Sequence, residues 1–236
     1  ALERKKVSFY NFGEANETAH VREEWMDTAT GAAHGVMVPM QKALFSRTSH
    51  NYAGFNTNIP DQFRINQFES EFQKMWLSGK DKMPSLVTVQ IPNDHGASPR
   101  PDDGYLSPHS YMADNDLAVG RMLHFLSRTP YWKNMLVIIT EDDTQGGIDH
   151  LDAHRSILIL AGPYVKRQYV SHTHANFGSI LKMIYAILGV PYVNQYDVTA
   201  SSLTDFFTSV PDYSVYTLEQ PDKRVFDPGR AMKRYK

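Results

Sequence analysis

Residues 86–95 read LVTVQIPNDH and residues 135–140 read MLVIIT. Each is a near-continuous apolar run that ends in polar residues. Leu86 to Ile91 is stopped by Pro92, and Met135 to Thr140 leads into Glu141-Asp142-Asp143. Between them, from about Ser110 to Ser127, the residues Met112, Leu117, Met122, Leu123 and Leu126 recur at helical spacing. Strand, helix and strand make a βαβ unit. Runs without alternation imply burial on both faces, as in a parallel sheet covered by helices. The crossover is expected to be right-handed. Parallel neighbours end on one edge, so the loops after Ile91 and Thr140 are expected to open onto one crevice, where ligands bind in open α/β sheets.

Working outward, Asp61 is placed to cap a helix carrying Phe63, Ile65, Phe68, Phe72, Met75 and Trp76, which Gly79 ends. Val7 to Phe12 reads as a short strand, and residues 13–60 as otherwise irregular. Ser156 to Ala161 is a further apolar run. A helix is expected from about Ala175 to Leu188, stopped by Gly189-Val190-Pro191, and a last amphipathic piece from Leu203 to Phe207. The chain thus divides into an irregular stretch (1–60), an α/β core (61–207) and a tail (208–236).

Composition narrows the function classes. A chain of 236 residues that is 42% hydrophobic can bury a sizeable core without covalent staples. Lys and Arg number 24 against 26 Asp and Glu, a balance that argues against a nucleic-acid partner. Cysteine is absent, which removes thiolate metal sites and a Cys nucleophile. No apolar run approaches the roughly 20 residues of a membrane-spanning helix. The first residues, ALERKK, carry no following apolar segment and so do not read as a signal peptide.

The two loops carry the candidate chemistry. The first holds Asp94 and His95. Between Glu141 and His154 the second holds five carboxylates and two histidines, with no Lys or Arg. An acidic loop is usually a solvated face. Here the acids directly follow a buried-type strand, where they would repel one another unless a cation sat among them. Oxygen donors with some imidazole suit Mg, Mn, Ca or Zn. His172 and His174 precede a helix and rank lower. His109 and His124 read as structural, and Arg155 as an anion holder or an ion-pair partner.

PNDH after a strand, the helix YMADNDLAVGRMLHFLSRTPYWKN, then VIITEDDTQGGIDHLDAHRS and GVPYVNQYD resemble the phosphoesterase branch of the alkaline phosphatase superfamily. That branch includes acid phosphatases, phospholipase C-type enzymes and bacterial phosphoesterases fused to β-propellers. The resemblance runs from about Asn58 to Phe207. It implies an α/β fold, a three-layer sandwich with a mostly parallel sheet and helices on both faces. It implies metal-dependent hydrolysis of a phosphate ester, with a divalent metal ion held by Asp142, Asp143, Asp94 and Asp149. His95, His150 and His154 would then contact the phosphoryl group or protonate the leaving oxygen.

Two departures shape the expectation. The family's early metal-binding acid and its Ser or Thr nucleophile have no counterpart here, since neither Thr18 nor Thr144 sits in that context. Two-metal members carry Asp-His where this chain has Asp142-Asp143, which favours one metal. The chain is therefore expected to be the C-terminal portion of a larger phosphoesterase, with an incomplete sheet. Its partners would be the ester substrate and an N-terminal half of the same protein, and the parent would be periplasmic or secreted. The alternative is a non-catalytic metal- or glycan-binding accessory domain on the same fold. Nothing in the residues separates phosphate from sulfate or phosphonate esters.

Overall fold

The computed structural model describes residues 1–18, 37–144 and 155–235. It is a mixed helix and strand structure whose chain forms two compact units. The larger comprises Phe9–Leu126 and Tyr216–Lys236, the smaller Ala1–Ser8 and Ser127–Val215.

In the larger unit, β1 (Phe9–Phe12) lies parallel to β4 (Leu86–Val89), with Phe9 opposite Leu86 and Phe12 opposite Val89. Two short strands within residues 13–60, β2 (Asn16–Thr18) and β3 (Met37–Pro39), pair antiparallel. The helix α1 (Asp61–Phe72) buries Phe63, Ile65, Phe68 and Phe72, the stripe its periodicity predicts, and continues as a π-turn over Gln73–Leu77 that buries Trp76. These rings close over β1. Phe12 has no exposed surface and meets Tyr10, Tyr52 and Phe68 edge-on at 5.2, 5.5 and 5.1 Å. Full burial of one such side chain stabilises the fold by roughly 1.5–3 kcal/mol. Glu71 on α1 ties the same region together, accepting from Tyr10 Oη and from Ser49 Oγ, each at 2.6 Å.

The helix α2 (His109–Leu126) buries Tyr111, Leu117, Leu123 and Leu126. Around its first turns Tyr105 and Tyr111 stack at 4.3 Å, with Phe226 against Tyr105. Phe226 is wholly buried, so part of the C-terminal tail belongs to this core. The short α5 (Pro228–Ala231) follows it, N-capped by Asp227.

In the smaller unit, β5 (Val137–Thr140) pairs antiparallel with β6 (Leu158–Ala161). The helix α3 (Phe177–Leu188) starts in a reciprocal capping box between Asn176 and Ser179 and ends at Gly189. The five-residue α4 (Gln195–Thr199) starts in a second such box, between Asn194 and Asp197. Leu160, Val165, Met183 and Leu203 form the core of this unit.

Two expectations are revised. The sheets are not mostly parallel: of the three described ladders one is parallel and two are antiparallel, and a β4–β5 pairing is not among them. An apolar run fixes that a strand forms but leaves its hydrogen-bonding partner open. Asp61 does not cap α1 either. Pro60 holds the N-cap position, and the Asp61 carboxylate is engaged elsewhere. Among the described residues, no helix is long and apolar enough to cross a membrane.

Candidate functional site

After β4 the chain turns through Pro92–His95, one turn of 3-10 helix. Proline at its first position has a preset φ and no N–H to satisfy. Gly96 ends it, donating its N–H to Asn93 O at 3.0 Å with φ +72° and ψ 164°, a combination almost confined to glycine. Pro92 and Asn93 are buried, Asp94 is half-buried and His95 is exposed. The His95 imidazole stands edge-on to Phe55, ring centres 5.3 Å apart.

The turn is gripped from beneath. The Asn93 N–H donates to Asp61 Oδ2 at 3.0 Å. Its side-chain Nδ2 donates to Asp114 Oδ2 at 2.6 Å and to Ile59 O at 3.2 Å. Asp114 Oδ2 also accepts from Tyr105 Oη at 2.6 Å and from the Asp61 N–H at 2.9 Å, and Asp114 Oδ1 accepts from Gln62 Nε2 at 3.0 Å. Burial raises the Tyr105 phenol pKa, so it keeps the proton that it donates. Asn115 Nδ2 reaches both Asp61 Oδ2, at 3.1 Å, and Ile91 O, at 2.6 Å.

Arg64 completes the network. It donates to Asp61 Oδ1 at 2.9 Å and to the carbonyls of Ala53, Gly54, Asn56 and Ile59 at 2.6 to 3.1 Å. The loop bearing Phe55 is therefore wrapped round its guanidinium. Burial pushes the Asp61 carboxyl up to about 7. Arg64 opposes the rise, Asp114 adds to it, and the Asn93 and Asn115 donors oppose it.

In the smaller unit, Thr140 Oγ1 at the end of β5 donates to Ile157 O at 2.9 Å, and Ser156 Oγ donates to Glu141 O at 2.9 Å. Those bonds pin the backbone where the acids begin. Asp142 and Asp143 are both exposed, and Asp142 Oδ1 accepts from the Asp143 N–H at 3.0 Å. Two adjacent carboxylates suit a hard divalent cation in donor type. Among the described residues, no group of three or more His, Asp or Glu is gathered as a metal site. Asp149, His150 and His154 lie outside the described residues, so the rest of the expected ligand set does too. The Asp94–His95 and Asp142–Asp143 pairs belong to different units.

Of the lower-ranked histidines, His172 and His174 are exposed. His124 Nδ1 accepts from the Leu218 N–H at 3.2 Å, the structural role its position suggests. Sequence reasoning missed the buried set of Asp61, Arg64, Asn93 and Asp114. One signal was available: Asp114 lies between Tyr111 and Leu117 on the apolar face of α2, where a carboxylate has to be satisfied from inside.

No protein-family model matches the chain, and no curated protein matches it.

Proposed function

We propose that the chain carries the metal- and phosphate-facing loops of a metal-dependent phosphoester hydrolase on an alkaline-phosphatase-like α/β scaffold. One observation supports this reading above the rest. Asp94-His95 and Asp142-Asp143 each follow closely on the carboxyl end of a strand, on backbone pinned by hydrogen bonds, while His95, Asp142 and Asp143 stay open to solvent. Fixed backbone with accessible heads is what a binding constellation requires.

In this reading Asp142, Asp143, Asp94 and Asp149 hold a divalent cation. When bound, the cation neutralises phosphoryl oxygens and lowers the pKa of the attacking group. His95, His150 and His154 hold the phosphoryl group or deliver a proton to the leaving oxygen, work that an imidazole does near neutral pH. The nucleophile is a Ser or Thr supplied by sequence upstream of residue 1.

The test has two stages. Adding Mn²⁺, Mg²⁺, Ca²⁺ or Zn²⁺ to the chain raises the melting temperature. At about 100 times Kd the gain is about 2.7 kcal/mol, equivalent to roughly 5–10 °C for a chain of this size. The Asp142→Asn/Asp143→Asn double variant loses that increment. Extended upstream, the protein hydrolyses para-nitrophenyl phosphate and loses turnover in His95→Gln. Metal binding without hydrolysis of any ester by the extended protein favours the accessory-domain alternative. Absence of both overturns the proposal.

A further inference from the structure

We propose that Asp61 and Asp114 are positioning residues that grip Asn93 and thereby fix the direction in which Asp94 and His95 are presented. The inference rests on the functional reading above only for what Asp94 and His95 do. The grip itself stands on geometry.

Asn93 is held at two points by two different helices. Its backbone N–H is bound by Asp61 at the start of α1, and its side-chain amide by Asp114 on α2. A residue held at both backbone and side chain cannot rotate without breaking a buried hydrogen bond to a carboxylate, which is stronger than one between neutral groups. The following residues inherit that orientation. Arg64 extends the grip to the facing wall, because it binds Asp61 and also the Gly54 and Asn56 carbonyls on either side of Phe55. The His95 and Phe55 rings therefore meet across two segments tied to one ion pair.

A second observation marks the arrangement as more than core packing. Asn93 Oδ1 is buried with no hydrogen-bond partner among the described residues. Leaving such an atom unpaired costs its desolvation without return, which an apolar residue at this position would avoid. The amide is turned to serve Asp114 at the expense of its own carbonyl. Side chains that orient a ligating segment, once replaced, typically weaken metal affinity by 10–100-fold.

The test uses the full chain, isotope-labelled. The wild type is expected to show proton–proton contacts between the His95 and Phe55 rings by NMR and to bind Mn²⁺ by calorimetry. Asn93→Ala and Asp114→Asn are expected to lose the ring contact and to bind Mn²⁺ at least about tenfold more weakly. A Phe68→Leu control, altered in the aromatic cluster, is expected to keep both. Retention of the ring contact in a folded Asn93→Ala or Asp114→Asn chain overturns the proposal. If neither variant folds, Asn93→Ser shortens the side chain that reaches Asp114, and unchanged ring contacts there overturn it equally. If the wild type binds no Mn²⁺, the functional reading falls, and the ring contacts alone decide the grip.

Discussion

Arg64 donates to Asp61 Oδ1 at 2.9 Å, and neither side chain reaches solvent. The pair is satisfied because the guanidinium's other donors meet four carbonyls and the carboxylate's other oxygen meets two N–H groups. Breaking a buried pair from one side leaves a charge without compensation and costs about 3–5 kcal/mol. Arg64→Met is therefore expected to lower the urea midpoint sharply. Arg64→Lys recovers only a minor part, because an ammonium has three donors and no planar fork. A midpoint within experimental error of wild type in Arg64→Met would show that the pair carries no stability.

The Asp61 carboxyl gives folding a pH dependence of unusual sign. Burial raises its pKa in the folded state more than Arg64 and the amide donors lower it, so ionising the carboxyl costs more in the folded chain than in the unfolded one. In the unfolded chain an aspartate titrates near 3.9. The contribution is fully present below about 4 and is lost as pH rises toward about 7. The half-buried Asp205 and the exposed Asp212, held low by hydrogen bonds from Ser171 and from Ser214, act in the opposite direction at acid pH. The Asp61 effect is isolated by subtracting the Asp61→Asn curve from wild type. That difference is expected to fall between pH 4 and 7 and to level off above. Parallel curves across this window would mean that the carboxyl titrates alike folded and unfolded.

Two glycines separate backbone strain from crowding. Gly96 has positive φ, and a Cβ built on it meets nothing within 4 Å. Gly96→Ala is expected to cost only the backbone term, about 1–3 kcal/mol. Gly104, also at positive φ, would drive a Cβ into the Asp227 carbonyl oxygen, so that Gly104→Ala must in addition displace the segment leading into α5. Chemical denaturation is expected to rank Gly104→Ala as clearly the more damaging. The reverse order would place the cost in the Pro92–His95 turn instead.

Much of the element set was legible in the residues. The runs at 86 and 135 formed β4 and β5, though only four residues of each are strand and they are half-buried or exposed rather than covered on both faces, and the apolar spacing from Phe63 to Phe72 gave the buried face of α1. The acids after β5 and the Asp-His after β4 were visible because strand ends are readable from where apolar runs stop. The grip on Asn93 was not visible. It depends on Asp61 and Asp114 lying 32 and 21 residues from Asn93, and no local pattern reports a contact at that separation.

Sequence alone determined where β1, β4, β5, β6, α1, α2 and α3 form, because burial period and turn residues are local properties of the chain, but it did not show β2, β3, α4 or α5. It also placed Asp94 and His95 just past β4 and Asp142 and Asp143 just past β5. Only the tertiary structure decided that β4 pairs with β1 and β5 with β6, and that Phe226 belongs to the core. Only the tertiary structure turned Asp61 from an expected helix cap into the partner of Arg64 and Asn93. A buried carboxylate takes whichever donors the packed helices bring to it, and those donors are assembled by long-range packing rather than by neighbours along the chain.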